Sequence, residues 1–244
     1  MHRHLVTTDE LLADATTLGR EGARHLQAVL RVKPGDRIEL FDGRGRTRLF
    51  AVASAAKHGL SLEAEAPARE HPRPACRITL FACVSKGGRM DWTVEKAVEL
   101  GAARIVPVIS DRTVVRLDAE DGPAKASRWS RVAEDAARQC GAAWLPSVLP
   151  PVPFKACAPL VSETAPAFVA ALSPAAKPLR DALRAFPTPP PQAGWFVGPE
   201  GDLTPDELAA LLAAGAVPVS LGARILRAET ACLYGLCALG CAWL

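Results

Sequence analysis

Two glycine-containing segments late in the sequence could together hold a small ligand. The first reads GPEGDLTPDEL over Gly198–Leu208, and the second reads LGARILRAETA over Leu221–Ala231. Each follows a short apolar run typical of a buried strand and leads into a predicted helix. Ligands bind at the carboxyl ends of parallel strands, and glycine lets the backbone approach them closely. The two segments therefore predict a ligand site at one edge of an α/β sheet, although GPEG alone is also typical of an ordinary turn.

Three charged residues interrupt the second segment just before a long apolar stretch. They are Arg224, Arg227 and Glu229, and the helix predicted after them over Thr230–Leu244 contains no charged residue. Charged side chains beside buried surface are costly unless they are paired or serve a function. Two compatible interpretations follow: an Arg–Glu pair that closes the loop, and a set of groups that acts on a bound ligand.

Basic residues are concentrated in two parts of a chain whose formal net charge is only +3. Between Arg20 and Lys57 there are nine Lys or Arg residues and four Asp or Glu residues. This excess predicts either a solvated surface or a phosphate-binding face. A second group is predicted at strand ends: Lys86, Arg89, Arg104, Arg112 and Arg116. The candidate nucleic-acid contacts are Arg24, Arg31, Lys33, Lys86, Arg89 and Arg112.

Other residue types exclude several classes of enzyme. The five histidines all lie within the first 71 residues, which disfavours a Ser-His-Asp hydrolase or a histidine-ligated metal at the glycine segments. No metal site is predicted, and no G-x-G-x-x-G or Walker motif follows a predicted strand. The seven cysteines lack C-x-x-C pairs and are predicted to be small buried residues in a reducing cytosol. With no signal peptide and no apolar run of about 18 residues, a cytoplasmic protein without a membrane partner is expected.

The elements that must position these residues fall into two predicted domains, residues 1–72 and 73–244. Residues 1–72 are predicted to be β-rich, with a helix over Gly22–Leu30 and a hairpin signal at Asp42–Gly45. Strands are predicted there over Arg37–Phe41, Thr47–Ser54 and Leu60–Ala66. The polar, proline-bearing segment Ala68–Pro74 is the predicted junction.

Beyond the junction the pattern changes to alternating strands and helices. Strands are predicted over Ile78–Val84, Arg104–Ile109, Leu145–Leu149 and Ala167–Leu172, and helices over Met90–Leu100, Lys125–Cys140 and Leu179–Phe186. This alternation favours a largely parallel sheet. The residues Thr204 to Glu207 predict a capped helix start. The apolar helix over Thr230–Leu244 is too short to cross a bilayer and predicts burial in the core or against a partner subunit.

Several motifs, taken in order, resemble one family of RNA-modifying enzymes. They are KGGRMDW, KASRWSRVAEDAARQC, GPEG and LGARILR-x-ETA, with VLRVKPGDRIELFDGRG nearer the start. Together they resemble the SPOUT class of S-adenosylmethionine-dependent RNA methyltransferases, and within it the bacterial family that methylates N3 of a uridine in 16S ribosomal RNA. The resemblance implies a SPOUT-type α/β domain with a parallel sheet and a C-terminal trefoil knot, preceded by a small PUA-like β-barrel that binds RNA. It also implies a homodimer that acts on 16S ribosomal RNA or the small ribosomal subunit.

Carried over by position, the resemblance implies that three loops hold S-adenosylmethionine. The implied cofactor-binding residues are Leu172, Gly198, Pro199, Glu200, Gly201, Leu221, Gly222, Ile225, Leu226, Arg227, Glu229 and Thr230. In catalysis, Arg227 would stabilise the uridine anion, and Glu200, Glu229 or a water molecule would accept its proton. The sequence departs from the family pattern at three positions. Asp202 stands where a second glycine is common, Gly88 where Asp is frequent, and Ala142 where Arg is usual.

Two other functions remain compatible with these residues. A SPOUT enzyme that acts on another RNA position, such as a ribose 2′-hydroxyl, shares the knot loops but does not need this N-terminal domain. A non-catalytic RNA-binding assembly factor keeps the basic surface without binding the cofactor, although the retained LGARILRAET segment argues against it.

Overall fold

The computed structural model of the protein describes residues 2–28, 31–56, 59–115 and 121–244. The chain divides into two compact units, of which the first contains Met1–Arg73 and Ala137–Leu145. The second contains Pro74–Ala136 and Pro146–Leu244. The predicted domains were continuous segments, so the assignment of Ala137–Leu145 to the first unit differs from that expectation. Three residues named from the sequence, Leu30, Lys57 and Arg116, lie outside the described residues.

The first unit is a β-sheet with two helices. Its elements are β1 (His2–Leu5), α1 (Thr8–Leu12), β2 (Ala15–Gly19), α2 (Arg20–Ala28), β3 (Arg37–Phe41), β4 (Arg46–Ala56), β5 (Gly59–Ala64) and β6 (Arg69–Glu70). Among the described residues the strands pair in the order β1-β3-β4-β5-β2, with β6 on β4. β1 runs parallel to β3, and the other neighbours are antiparallel. Apolar residues alternate along these strands, so Ile38 and Leu40 of β3 are both fully buried.

A glycine-rich hairpin joins β3 to β4 and holds the segment Ala137–Leu145. Gly43 and Gly45 have φ angles of 66° and 92°, in the left-handed region that favours glycine. A Cβ on Gly45 would lie 2.3 Å from the ring of Trp144. The backbone N–H of Leu145 donates a hydrogen bond to the Gly43 carbonyl at 2.9 Å. The predicted hairpin is therefore confirmed, and its glycines let a distant part of the chain pack directly on it.

The second unit is an α/β sheet. Its strands are β7 (Arg77–Cys83), β8 (Ala102–Ile109), β9 (Ser147–Val148), β10 (Val152–Pro153), β11 (Ala167–Ala170), β12 (Lys177–Pro178), β13 (Gln192–Val197) and β14 (Ala216–Ser220). Its helices are α3 (Arg89–Glu99), α4 (Asp121–Cys140), α5 (Cys157–Glu163), α6 (Leu179–Leu183), α7 (Pro205–Ala213) and α8 (Ala228–Trp243), with a 3₁₀ turn at Phe154–Ala156. The last four residues of α4 belong to the first unit.

The sheet of the second unit is parallel, as the alternating pattern predicts. Its strand order is β10-β8-β7-β13-β11-β14-β12, with β9 paired to β8. Within the described ranges, every strand pair of this sheet is parallel. The carboxyl ends of the strands therefore meet along one edge of the sheet. The trefoil knot stays a prediction.

Helix α8 has one buried face and one exposed face. Leu236 and Leu239 are fully buried, and Trp243 is nearly so. On the opposite side, the side chain of Tyr234 is 48% exposed. Helix α8 begins at Ala228, two residues before the predicted start at Thr230, so Glu229 lies in its first turn. Among the described helices, none combines the length and the apolar character that a membrane span requires.

Two further expectations from the sequence are wrong. Three cysteines (Cys140, Cys237 and Cys241) are exposed, because they lie on the solvent sides of α4 and α8. Arg104 does not lie at a carboxyl end, because β8 begins at Ala102 and places Arg104 near the opposite edge of the sheet.

Candidate functional site

A cavity of about 290 Å³ lies at the carboxyl ends of three neighbouring strands of the second unit. Its walls are formed by the segments that follow β11, β13 and β14, which are adjacent in the sheet. The lining residues are 170–172, 197–200, 202, 219–222, 224–228 and 231. The structure thus brings together the two glycine-containing segments, which lie about 20 residues apart in the sequence. The volume of the cavity is close to the lower end of the range for small-molecule sites.

The loop after β13 turns sharply into α7 and is fixed at its far end by a helix cap. Thr204 Oγ1 accepts a hydrogen bond from the Glu207 backbone N–H at 3.2 Å, and Glu207 Oε2 accepts one from the Thr204 N–H at 2.9 Å. This is the capping box that the sequence predicts. Just before it, Asp202 has a φ of 61°, and its Oδ1 accepts a hydrogen bond from the Leu203 N–H at 2.8 Å. The cap and this turn set the length and the path of the loop.

The left-handed conformation of Asp202 is one that glycine adopts without strain, in line with the glycine that the resemblance implies at this position. We expect Asp202→Ala to lower the free energy of unfolding by about 1–2 kcal/mol, because alanine has no side chain to bond the local backbone in this region. Asp202→Gly should stay within about 0.5 kcal/mol of the parent chain, because glycine adopts the conformation without strain. Urea unfolding of the two variants measures both values. Equal stability of Asp202→Ala and Asp202→Gly would contradict this explanation.

The loop after β14 contains a glycine with a positive φ angle. Gly222 has a φ of 117°, and no atom lies within 4 Å of the position that a Cβ would take. Its backbone N–H donates a hydrogen bond to Ser220 Oγ at 3.3 Å. Ile225 follows with 80% of its surface exposed, and Arg227 is the N-cap residue of α8. The loop therefore presents apolar surface and a guanidinium group at the cavity.

Most of the residues predicted from the sequence to bind a cofactor are on the cavity wall. They are Leu172, Gly198, Pro199, Glu200, Leu221, Gly222, Ile225, Leu226 and Arg227. Within the part of the chain that the structure describes, Gly201, Glu229 and Thr230 adjoin the lining without being part of it. Nine lining residues were not predicted as cofactor contacts: Ala170, Ala171, Val197, Asp202, Val219, Ser220, Arg224, Ala228 and Ala231. All nine lie in the predicted strand Ala167–Leu172, in the two glycine-containing segments or in the apolar runs before them, and this was the available signal.

The charged groups of the site are unevenly placed. The Glu200 side chain lies on the cavity wall, is 33% exposed, and accepts a hydrogen bond from Arg89 Nη1 at 2.8 Å. Glu229 differs from Glu200 in its burial and bonding: its Oε2 is buried and has no hydrogen-bond partner within the described ranges. Arg224 and Arg227 line the cavity and are exposed. The charged residues of the wall are therefore Glu200, Asp202, Arg224 and Arg227.

The candidate nucleic-acid contacts fall into two sets. Arg24, Arg31 and Lys33 are exposed on the first unit, and Lys86 is exposed on the second. Arg89 and Arg112 instead contact the loop after β13. Arg89 is bonded to Glu200, and Arg112 Nη1 donates a hydrogen bond to the Gly201 carbonyl at 2.9 Å.

The buried thiols of the second unit are unsuited to nucleophilic chemistry. Burial raises the pKa of Cys83 to about 12, although a hydrogen bond with Ser110 opposes the shift. Burial also raises the pKa of Cys232, which follows the lining residue Ala231. Both thiols stay protonated at neutral pH, whereas the thiolate is the reactive form. Among the residues that the structure describes, no group of three or more His, Cys, Asp or Glu side chains is placed to hold a metal ion.

Comparisons with known proteins agree with this architecture. A family model described as an RNA methyltransferase domain matches residues 71–240, and one described as an RNA methyltransferase PUA domain matches residues 18–65. Ribosomal RNA small subunit methyltransferase E of Synechocystis is 31% identical over 235 residues, 94% of this chain and 74% of that protein.

Two solved structures are similar over almost their whole length. A ribosomal RNA small subunit methyltransferase E from Neisseria gonorrhoeae, bound to S-adenosylmethionine, has a TM-score of 0.86 and 31% identity. The superposition covers 100% of this chain and 98% of the Neisseria chain. A Legionella pneumophila methyltransferase structure, in complex with the cofactor S-adenosylmethionine, has a TM-score of 0.89 and 28% identity, over 99% and 98% of the two chains.

A parallel α/β sheet with a small-ligand cavity at its carboxyl edge, preceded by a PUA domain, defines a class of two-domain RNA-modifying proteins. The chain belongs to the RNA methyltransferase family that the two matching domain models describe. The resemblance drawn from its motifs is confirmed, and so is the α/β fold with an N-terminal PUA domain.

Proposed function

We propose that this chain methylates N3 of a uridine in 16S ribosomal RNA, with S-adenosylmethionine as the methyl donor, in the cytoplasm. The observation that carries the proposal is the cavity at which the GPEG and LGARILRAET segments meet at the carboxyl edge of a parallel sheet. The relatives support it, since the Neisseria protein is bound to S-adenosylmethionine and the Synechocystis relative is named for small-subunit ribosomal RNA.

The residues on the cavity wall suit a ligand with a flat adenine and a cationic sulfonium. Leu172 and Ile225 are 65% and 80% exposed, which leaves apolar surface free to cover an aromatic ring. The negative carboxylate of Glu200 attracts the positive charge of a sulfonium. Gly222 lets the backbone approach a ligand closely, since the space at its Cβ position is open. When bound there, S-adenosylmethionine supplies an already activated methyl group.

The remaining chemistry belongs to side chains of the protein. The N3 position must lose its proton as it forms a bond to the methyl carbon, whose bond to sulfur breaks. We assign the proton to Glu200, whose carboxylate lies on the cavity wall, in preference to Asp202, which bonds the backbone of its own loop, and to Glu229, whose Oε2 is buried off the wall. Arg227 is exposed on the same wall and stabilises the developing imide anion through its fork of donors. The target base must be unpaired to reach this wall.

Two measurements separate this function from its alternatives. Calorimetric titration with S-adenosylhomocysteine should show one binding site per chain, and absence of binding would favour the non-catalytic assembly factor. Methylation of small-subunit RNA, followed by primer extension, should then produce a stop at one uridine, because a methyl group on N3 blocks base pairing. Methyl transfer to a ribose 2′-hydroxyl would instead assign the chain to the other SPOUT activity.

We propose that the exposed basic residues Arg24, Arg31, Lys33 and Lys86 contact RNA phosphates. Replacement of Arg24, Arg31 and Lys33 together by alanine should lower the slope of log affinity against log salt by roughly 0.7–0.9 for every phosphate that is no longer neutralised. Point substitutions are preferred to deletion of residues 1–72, because Ala137–Leu145 belongs to the same unit. Filter binding at several salt concentrations measures the slope.

Two controls accompany this prediction. The triple variant should bind S-adenosylhomocysteine as the parent chain does. Arg180→Ala removes a charge from a side chain that is 81% exposed in the second unit, and it should leave the salt slope unchanged. An unchanged slope in the triple variant would refute the role of these three residues.

We also propose that the chain forms a homodimer through the exposed face of α8, which completes the active site. Tyr234 is 48% exposed there, with Cys237 and Cys241 exposed one and two turns further along. Leu244, 54% exposed, follows the helix directly. Leu236 and Leu239 are fully buried and serve the core of the chain itself.

Tyr234→Asp should convert the dimer into a monomer at micromolar concentration. A carboxylate buried without a partner in the interface costs several kcal/mol, which corresponds to roughly a hundredfold weaker association or more. Light scattering on a size-exclusion column measures the mass. Leu212→Asp is the matched control, because Leu212 is 39% exposed on α7, outside this face. A parent chain that is monomeric and fully active would contradict the proposal.

A further inference from the structure

The loop after β13 is held from the side by a short turn that follows β8, which we call the 110–113 turn. Arg112 Nη1 reaches across 89 residues of sequence to the Gly201 carbonyl at 2.9 Å, and it lies 3.4 Å from the Leu203 carbonyl. A Cβ on Gly201 would lie 3.5 Å from Arg112 Cβ, so the two segments are in van der Waals contact. The guanidinium group thus bonds to both sides of Asp202, the residue held in the left-handed conformation.

A second tie joins the same two segments. The backbone N–H of Asp111 donates a hydrogen bond to Glu207 Oε1 at 2.9 Å. Glu207 is only 5% exposed, and its other oxygen accepts the N–H of Thr204 in the helix cap. One buried carboxylate therefore binds both the start of α7 and the 110–113 turn. The turn is itself closed, because Ser110 Oγ and Thr113 Oγ1 are 2.9 Å apart and the Thr113 N–H donates to the Ser110 carbonyl at 3.0 Å.

These contacts give Arg112 a role beyond that of a phosphate ligand. Both loop carbonyls accept from Nη1, so a phosphate bound at that nitrogen would leave the carbonyls without their donor, whereas Nε and Nη2 take no part in holding the loop. Both Arg89 and Arg112 are exposed, but Arg89 contacts the side chain of Glu200, whereas Arg112 contacts the backbone of the loop. Arg112 is thus the better candidate for holding the backbone of the loop.

We propose that Arg112 is a positioning residue for the cofactor cavity, which acts by donating from Nη1 to the carbonyls of Gly201 and Leu203. The inference rests on the proposed function in so far as the cavity binds S-adenosylmethionine. Its structural part, that Arg112 fixes the path of the loop between Gly198 and Leu203, holds for the chain without any ligand.

Two variants of Arg112 separate positioning from phosphate binding. Arg112→Lys keeps the positive charge and loses the guanidinium group that places Nη1 at both carbonyls, whereas Arg112→Ala loses both. In the cofactor-free chain, amide hydrogen exchange at residues 200–203 should become about tenfold faster in both variants, since a hydrogen bond from a charged donor is removed. Affinity for S-adenosylhomocysteine should fall by a similar factor in both, whereas a role confined to phosphate binding would leave that affinity unchanged and would lower the salt slope of RNA binding in Arg112→Ala only.

Lys86→Ala is the contrasting variant, because Lys86 is exposed in the segment after β7. It should leave amide exchange in the loop unchanged and lower the salt slope by roughly 0.7–0.9. Parental exchange rates in Arg112→Lys and Arg112→Ala would overturn the proposal, and so would a parental affinity for S-adenosylhomocysteine in both variants. If the parent chain binds no S-adenosylhomocysteine, the proposed function fails, and amide exchange still decides whether Arg112 holds the loop.

Discussion

Gly222→Val is expected to weaken the binding of S-adenosylhomocysteine by about a hundredfold or more, which is about 2.7 kcal/mol. Gly222 has a φ of 117°, a conformation that a β-branched residue does not adopt without strain. The loop must therefore change its path where it lines the cavity, and the valine side chain enters the open space beside it. Calorimetric titration of the purified variant measures the affinity.

A matched glycine separates the effect on the cavity from the strain itself. Gly215 also has a positive φ, 93°, and no atom lies within 4 Å of its Cβ position, but it precedes β14 and is not a lining residue. Gly215→Val should therefore lower the free energy of unfolding while leaving the affinity for S-adenosylhomocysteine at that of the parent chain. Equal affinities in Gly222→Val and the parent chain, with both folded, would show that the loop over Leu221–Arg227 does not bind the cofactor.

The features that could be predicted from the sequence are those whose signals are local. The capping box needs only Thr204 and Glu207, three residues apart, and the hairpin needs only the run Asp42–Gly45 between two apolar strands. The parallel sheet follows from the alternation of strand and helix patterns. The two glycine segments could be placed at one edge because parallel strands end together, so the composition of most of the cavity wall was predictable.

The features that could not be predicted depend on contacts between distant parts of the chain. Nothing near Gly45 indicates that the ring of Trp144 will lie against it. In the sequence, Arg112 has the residue type and the place after a strand that are expected of a phosphate contact. Only the folded chain places the Gly201 carbonyl at its guanidinium group. A side chain with five donors suits a phosphate and a backbone carbonyl equally well, so residue type alone does not distinguish them.

The start of α8 was misplaced for a related reason. The change from charged to apolar residues after Glu229 suggested a boundary at Thr230, but helix formation depends on the backbone and tolerates a glutamate in the first turn, where the helix dipole favours it. The two extra residues bring Ala228 onto the cavity wall. The first turn of α8 is thus part of the site, and changes in the packing of this helix should alter the shape of the cavity.

Gly235→Ala tests that connection and should be the most destabilising of the single substitutions considered. A Cβ on Gly235 would lie 2.0 Å from the ring of Trp195, which is fully buried in β13. Either the ring or α8 must move, and the hydrogen bond from Trp195 Nε1 to the Ala231 carbonyl, now 3.3 Å, is strained or broken. Overpacking of this kind and loss of the bond together lower the free energy of unfolding by about 2–4 kcal/mol.

The same helix offers the matched control. A Cβ on Gly240 would lie 3.7 Å from Leu244 Cδ1, which is ordinary van der Waals contact. Gly240→Ala should therefore raise the free energy of unfolding by about 0.5–1 kcal/mol, because alanine is the better helix former. Urea unfolding followed by circular dichroism measures both variants. Trp195 lies on β13, which ends just before the lining residue Gly198, and its hydrogen-bond partner Ala231 also lines the cavity. Gly235→Ala should therefore also weaken binding of S-adenosylhomocysteine, whereas Gly240→Ala should not. A Gly235→Ala chain as stable as the parent would mean that α8 and β13 are packed less tightly than these contacts require.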